Sequence, residues 1–290
     1  MKKEINSAII ASGVSIGEIV LFREMANIFN NNPIIKSTYI EEIHGNKGKV
    51  EFASSYKVGG VAKVELGDLL LFTFDKATKQ LRLCTLQAKY KPGRYTRFLK
   101  FKADLFQWEL LSKKPNVSSK GRFSFPSNIL NFRTDYKSIT AYGIFYHDII
   151  SGDIDYLYTL PEHIIPHSYP IRRLSKGNRT FNFSCPIMLG SPNRTCTKGI
   201  YHKEAISSCS IDVFEEQVKL CKVGAPLDST IDAWALSLLR DIRERADDSS
   251  VIDELLSYYK DRDLAVQSDY SFESIPSVLV VVTDSKLSQQ

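Results

Sequence analysis

Three features of the chain predict a mixed α/β fold. Two apolar stretches rich in strand-forming residues, 64–72 and 83–90, are separated by turn material, Asp75-Lys76-Ala77-Thr78-Lys79-Gln80. Segments with apolar residues at helical spacing lie on either side of them, near residues 18–29, 96–111, 230–246 and 251–260. Near its end the chain carries Val278-Leu279-Val280-Val281-Val282, a continuous apolar run that suits a strand covered on both faces and therefore needs neighbours in a sheet.

Each element has its own justification. Leu21, Phe22, Met25, Ile28 and Phe29 form one stripe of the first expected helix, with Ser15 as its cap. Glu18 falls near the middle of that stripe, where a carboxylate needs a partner or a metal; the plainer role is a first-turn acid that favours the helix dipole and reaches solvent. Asn30-Asn31-Asn32-Pro33 ends this helix. Residues 37–40 and 49–52 then read as two strands of a hairpin around His44-Gly45-Asn46-Lys47-Gly48. The 64–72 and 83–90 strands follow, then a turn at Lys91-Pro92-Gly93-Arg94 and a helix over 96–111 with Phe98, Phe101, Leu105 and Trp108 toward the sheet. Residues 112–133 are polar and read as a loop; 139–146 and 156–158 are strand-like and complete a mixed sheet of about five strands. From residue 161 to 224, prolines and basic residues mark an irregular crossing to a C-terminal part with two helices and the terminal strand. The expected division is a core over 1–165 and an α/β extension over 166–290 packed on it.

Composition narrows the partners and compartment. The chain has 290 residues, 43% hydrophobic and 24% charged, enough for a full core. A net charge of +5 fits a nucleic-acid partner without requiring one. The apolar runs are too short for a membrane span, the first ten residues do not form a signal peptide, and five unpaired cysteines suit a reducing compartment, so the expected location is cytoplasmic. Cys185, Cys196, His202, Cys209 and Cys221 lack the tight spacing of structural zinc and read as buried thiols. His147-Asp148 has no nucleophile elbow to serve, and no Gly-X-X-X-X-Gly-Lys loop is present, so an energy-dependent step would need a partner.

The chemistry concentrates on the two central strands. Asp68 interrupts an apolar run, where an unpaired charge is costly. Gln87 and Lys89, two apart, share one face of the next strand, while Leu86, Ala88 and Tyr90 face the other way. A carboxylate, an amide and an amine on adjacent strands point to a shared polar site. Lys91, Arg94, Arg97, Lys100 and Lys102 form a basic cluster nearby that can neutralise phosphates, or can be an ordinary solvated face.

This pattern resembles the PD-(D/E)XK, or restriction-endonuclease-like, nuclease superfamily, with Gly67-Asp68 for the Pro-Asp element and Gln87-Ala88-Lys89 for the Asp/Glu-X-Lys element. The resemblance spans residues 10–165 and departs at two places: Gly67 replaces the proline and Gln87 replaces the acid. It implies a restriction-endonuclease-like mixed-sheet core flanked by helices, and a Mg²⁺- or Mn²⁺-dependent endonuclease acting on DNA in preference to RNA. It implies a metal site of Asp68, Gln87, the Ala88 carbonyl and Glu18, with Lys89 orienting the attacking water, and a glutamine such as Gln107 facing the site. By analogy with proteins of that build, the role is bacterial restriction or anti-phage defence, alone, as a homodimer or with a sensor or ATPase subunit. The Gln87 departure keeps a second reading open, a nuclease-fold protein that binds nucleic acid or a partner without cutting.

Overall fold

The computed structural model describes residues 1–12, 16–41, 48–95, 98–120, 123–167, 174, 179–186, 210–229, 231–246, 248–259, 272, 276–284 and 286–287. In chain order these form α1 (Lys2–Ser12), α2 (Glu18–Asn30), β1 (Ile35–Ile40), β2 (Lys49–Ala53), β3 (Val61–Glu65), β4 (Leu69–Asp75) and β5 (Gln80–Tyr95). Next come β6 (Phe98–Asp104), α3 (Leu105–Lys113), β7 (Ser118–Ser119), β8 (Thr140–Asp148), β9 (Ile154–Thr159), β10 (Ile165–Pro166) and β11 (Thr180–Pro186). The last elements are α4 (Ile211–Lys219), β12 (Ala225–Pro226), α5 (Asp232–Arg245), α6 (Ser250–Ser257) and β13 (Val278–Thr283).

A mixed sheet in the order β1-β13-β4-β5-β8-β9 organises the molecule, with the short β12 paired to β5. Strands β4 and β5 are antiparallel, and β8 lies parallel beside β5 after the crossover through α3. Two three-stranded sheets, β10-β11-β6 and β3-β2-β7, stand apart from it. Side-chain alternation divides β13 between two cores. Leu279 and Val281 pack with Leu71 and Leu86 against Ile5 of α1, Phe22 and Met25 of α2, and Phe214 of α4. Val278, Val280 and Val282 pack with Leu70 and Phe72 against Trp234 and Leu238 of α5 and Ile252 of α6. The sheet is thus covered by helices on both faces, which is what an unbroken apolar strand requires.

Several expectations are corrected. The expected hairpin of residues 37–40 with 49–52 does not form: β1 pairs with β13, and β2 pairs with β3 and β7. The terminal strand needs neighbours on both sides, and β1 supplies one of them. Residues 64–74 are two strands, β3 and β4, with Leu66-Gly67-Asp68 between them, so Asp68 sits just before a strand. Residues 91–94 are a bulge within β5, with Gly93 at φ +126°, where a turn was expected. The helix expected over 96–111 is strand β6 followed by helix α3. Leu99, Phe101 and Ala103 are buried while Phe98, Lys100 and Lys102 are exposed, a period of two, and β11 pairs along the whole of β6. Asp104 ends the strand by capping α3, accepting from Phe106 N at 2.8 Å. Helices α1 and α4 and strand β11 lie in stretches that read as irregular or unassigned in the sequence. Ser15, the expected cap, lies outside the described residues, and Gly17 holds the N-cap position of α2. The terminal strand joins a sheet as its apolar run requires: β13 lies between β1 and β4.

Candidate active site

The site is built where β5 outruns β4. The two strands pair from Leu69 opposite Leu86, and the Asp68 amide donates to the Leu86 carbonyl at 3.0 Å. Beyond that point the β5 edge lacks β4 as a ladder partner, and its backbone amides need other acceptors. Two carboxylates supply them. Ala88 N–H donates to Asp68 Oδ2 at 2.9 Å, and Tyr90 N–H donates to Glu18 Oε1 at 2.9 Å. Residues two apart on a strand point their amides to the same edge, so these bonds hold the two acids side by side.

Gln87 and Lys89 complete the group. The Gln87 Nε2 donates to Asp68 Oδ2 and lies 3.4 Å from the Ala88 carbonyl, while its Oε1 is buried with no hydrogen-bond partner. The Lys89 Nζ lies 3.7 Å from Asp68 Oδ2, and about a quarter of each side chain (25% and 24%) stays exposed, so both remain reachable from solvent. Asp68, Gln87, Ala88, Lys89 and Glu18 are therefore brought together. Burial holds the Asp68 carboxyl above its ordinary range; the Lys89 ammonium and the Ala88 amide oppose this, and the Glu18 and Glu65 carboxylates add to it.

A cavity of about 150 Å³ opens at this point, lined among others by Glu18, Tyr39, Glu65, Gly67, Asp68 and Ala88. Glu65 and Tyr39 were not foreseen. Glu65 lies three residues before Asp68 but at the end of another strand, so periodicity gave no hint of it. The Tyr39 side chain bonds that of Ser277, and burial raises its hydroxyl pKa.

Hard oxygen donors of this kind suit a divalent cation. Three carboxylates line a cavity that has one nearby ammonium, and a buried amide oxygen stands unpaired beside them. Among the described residues, no three His, Cys, Asp or Glu side chains are grouped closely enough to hold an ion by themselves. Mg²⁺ does not require such a cluster, because it keeps several waters and is held by one or two carboxylates together with substrate phosphates.

The basic cluster is only partly brought to one place. Lys100 and Lys102 are exposed on the outer face of β6, opposite Ser184 and Asn182 of β11, on a strand where a helix was expected. Lys91 is half-buried on β5 opposite Tyr146. The Arg94 backbone pairs with His147, while its side chain and all of Arg97 lie outside the described residues. Gln107 lines a separate cavity with Lys63 and Asp104, not the one at Asp68. His147 is the penultimate residue of β8, with Nδ1 2.9 Å from the Gly152 carbonyl and Nε2 3.0 Å from the Tyr90 hydroxyl. Cys84, Cys185 and Cys221 are buried and not in disulfides, whereas Cys196, His202 and Cys209 lie outside the described residues. No helix among the described residues is long and apolar enough to cross a membrane.

No family model, curated protein or solved structure matches the chain.

Proposed function

We propose that the protein is a metal-dependent nuclease that hydrolyses phosphodiester bonds, with DNA as the favoured substrate. The observation that carries this reading is the Asp68–Glu18 pair held on successive β5 edge amides at one cavity, with the Lys89 ammonium 3.7 Å from Asp68 Oδ2. The order of elements supports it: a helix with an acid, the Asp68 segment leading into a strand, the Gln-X-Lys strand, then a helix. That order is the one the PD-(D/E)XK resemblance implies, though β6 intervenes before the helix here.

Mg²⁺ or Mn²⁺ would be held by Asp68 and Glu18, with the Ala88 carbonyl and the Gln87 amide oxygen as neutral donors, and would supply charge neutralisation and a more acidic water. The chain's own residues do the rest. Ala88 N–H and Tyr90 N–H fix the two carboxylates, so neither has to reorganise during the reaction. Lys89 orients the attacking water and stabilises negative charge gathering on the phosphoryl oxygens. The partly enclosed cavity strengthens these interactions by limiting bulk water. A role in restriction or anti-phage defence, alone or with a partner subunit, extends this proposal by analogy.

One observation favours a protein that binds without cutting. Gln87 occupies the place of an acid and spends its amide nitrogen on Asp68. Incubation with plasmid, linear and single-stranded DNA in Mg²⁺ or Mn²⁺ separates the two readings. Cleavage is expected, reduced on the order of 10²–10³-fold in Lys89→Ala and at least as much in Asp68→Ala, and retained in Gln87→Glu. Cleavage that survives Asp68→Ala rules out this site, and no cleavage of any substrate leaves the binding reading.

A further inference from the structure

A second cavity adjoins the first and has the opposite electrostatic character. It measures about 470 Å³ and is lined by Lys49, Lys63, Glu65, Asp104, Gln107 and Arg179, together with Val64. Glu65 lines both cavities, so the two are neighbours. Lys49 stands directly opposite Glu65 in the β2–β3 register, and Lys63 precedes Glu65 by two residues. The three side chains therefore share one face of that small sheet, while Val50, Phe52, Ala62 and Val64 line the buried face. Lys49 and Lys63 are exposed, and neither ammonium meets a carboxylate among the described residues.

Arg179 is held in place at the cavity wall. Its Nε lies 3.2 Å from Asp104 Oδ2, its Nη1 donates to the Lys63 carbonyl at 3.3 Å, and its guanidinium lies 5.7 Å from the centre of the Phe106 ring. Asp104 is thus engaged by Arg179 and by the first turn of α3. Glu51, which stands opposite Lys63 in the register, is paired with Lys120 at 3.5 Å and does not line the cavity. Within the cavity, two exposed lysines and the outward edge of a guanidinium therefore face Glu65. A cavity with excess positive charge beside one with excess negative charge fits a ligand that carries phosphates in series. One phosphodiester would sit at the carboxylates with a cation, and its neighbour would meet the lysines.

We propose that the Lys49–Lys63–Arg179 cleft binds a phosphate of a nucleic-acid strand next to the one taken by the Asp68 cavity. This rests on reading that cavity as a phosphodiester site. It assigns the strand's path to the β2–β3 sheet and the start of α3, in place of the outer face of β6. Contacts of this kind position the strand and carry no sequence information.

Fluorescence anisotropy of the full chain with a labelled single-stranded oligonucleotide and its duplex, in EDTA over a range of salt, tests the cleft apart from cleavage. The double variant Lys49→Ala/Lys63→Ala is expected to bind about tenfold more weakly near physiological salt. Its slope of log K against log salt should be shallower by about 0.7–0.9 per lysine removed. Lys100→Ala/Lys102→Ala should leave both quantities near the parent's. Since the cleft lysines are exposed, circular dichroism is expected to be unchanged. Unaltered affinity and slope in the cleft variant overturn the proposal, as does a parent that binds neither oligonucleotide. Binding lost in the cleft variant, with no metal-dependent cleavage by the parent, would sink the hydrolase reading and keep the cleft. Cleavage by the parent with undiminished binding by the cleft variant would do the reverse.

Discussion

Gly67 determines where the Asp68 carboxylate can stand. A Cβ at this position would meet Thr85 Cγ2 at 2.8 Å and the Leu86 carbonyl oxygen at 3.0 Å. The methyl can turn aside, but the carbonyl is held by the Asp68 amide. Gly67→Ala should therefore push the 66–68 segment away from β5. The expected cost is about 1–3 kcal/mol in urea unfolding, accompanied by a weakening of the proposed nuclease activity. An alanine variant with the parent's urea midpoint and full activity would mean the segment relaxes freely. Asp68 itself should make the fold pH-dependent. Its carboxyl is raised in the folded chain by burial, with Glu18 and Glu65 adding to the rise, so the folded state holds the proton more tightly than the unfolded state. The stability this confers is complete below the unfolded carboxyl value, about 3.9, and is lost as pH climbs through the raised folded value. Asp68→Asn should consequently melt at a higher temperature than the parent at pH 7, with the gap closing below about pH 4. A lower melting temperature at pH 7 would show that the ionised carboxylate stabilises the fold.

At the scale of elements, β13 joins parts that the sequence order separates. It lies antiparallel to β1 and parallel to β4, and all six of its residues are buried. Removing it would leave β1 and β4 without their shared neighbour and would open both helical layers. A chain ending at Ser277 is expected to lose its cooperative thermal transition in circular dichroism; a retained transition at the parent's midpoint would mean that β1 and β4 hold without it. Helix α3 is tied down by another device, the buried Glu109. Its carboxylate accepts from the Ser54 hydroxyl at 2.5 Å and the Ser55 amide at 2.8 Å, and pairs with Lys113 at 2.9 Å. This contact fastens α3 to the loop after β2, and so holds the two walls of the basic cleft together. The β6–α3 segment shows why local pattern failed there. Phe98, Phe101, Leu105 and Trp108 satisfy a helical period, while Leu99, Phe101 and Ala103 satisfy a strand period. Both patterns are present in the same residues, and pairing with β11 chose the strand.

Across the whole molecule, the candidate site lies where distant parts of the chain meet: α2, β1, the β4–β5 pair and the residues leading into β13 all line its cavity. Gln87 and Lys89 were legible beforehand because strand alternation puts residues two apart on one face, and Asp68 and Glu18 because each is an acid in an apolar setting. Glu65, Tyr39 and the Lys49–Lys63–Arg179 group were not, since the elements that carry them pair with partners that no local signal names. The α/β class, a polar Asp68–Gln87–Lys89 trio among apolar segments, both C-terminal helices and the need to bury residues 278–282 all follow from the sequence, through periodicity and the cost of exposing or isolating groups. Only the tertiary structure decided which strands are neighbours, where β4 stops short of β5, and hence which backbone amides two carboxylates must satisfy. Strand pairing is a contest between long-range partners for the same hydrogen-bonding edges, and its outcome depends on all of them at once.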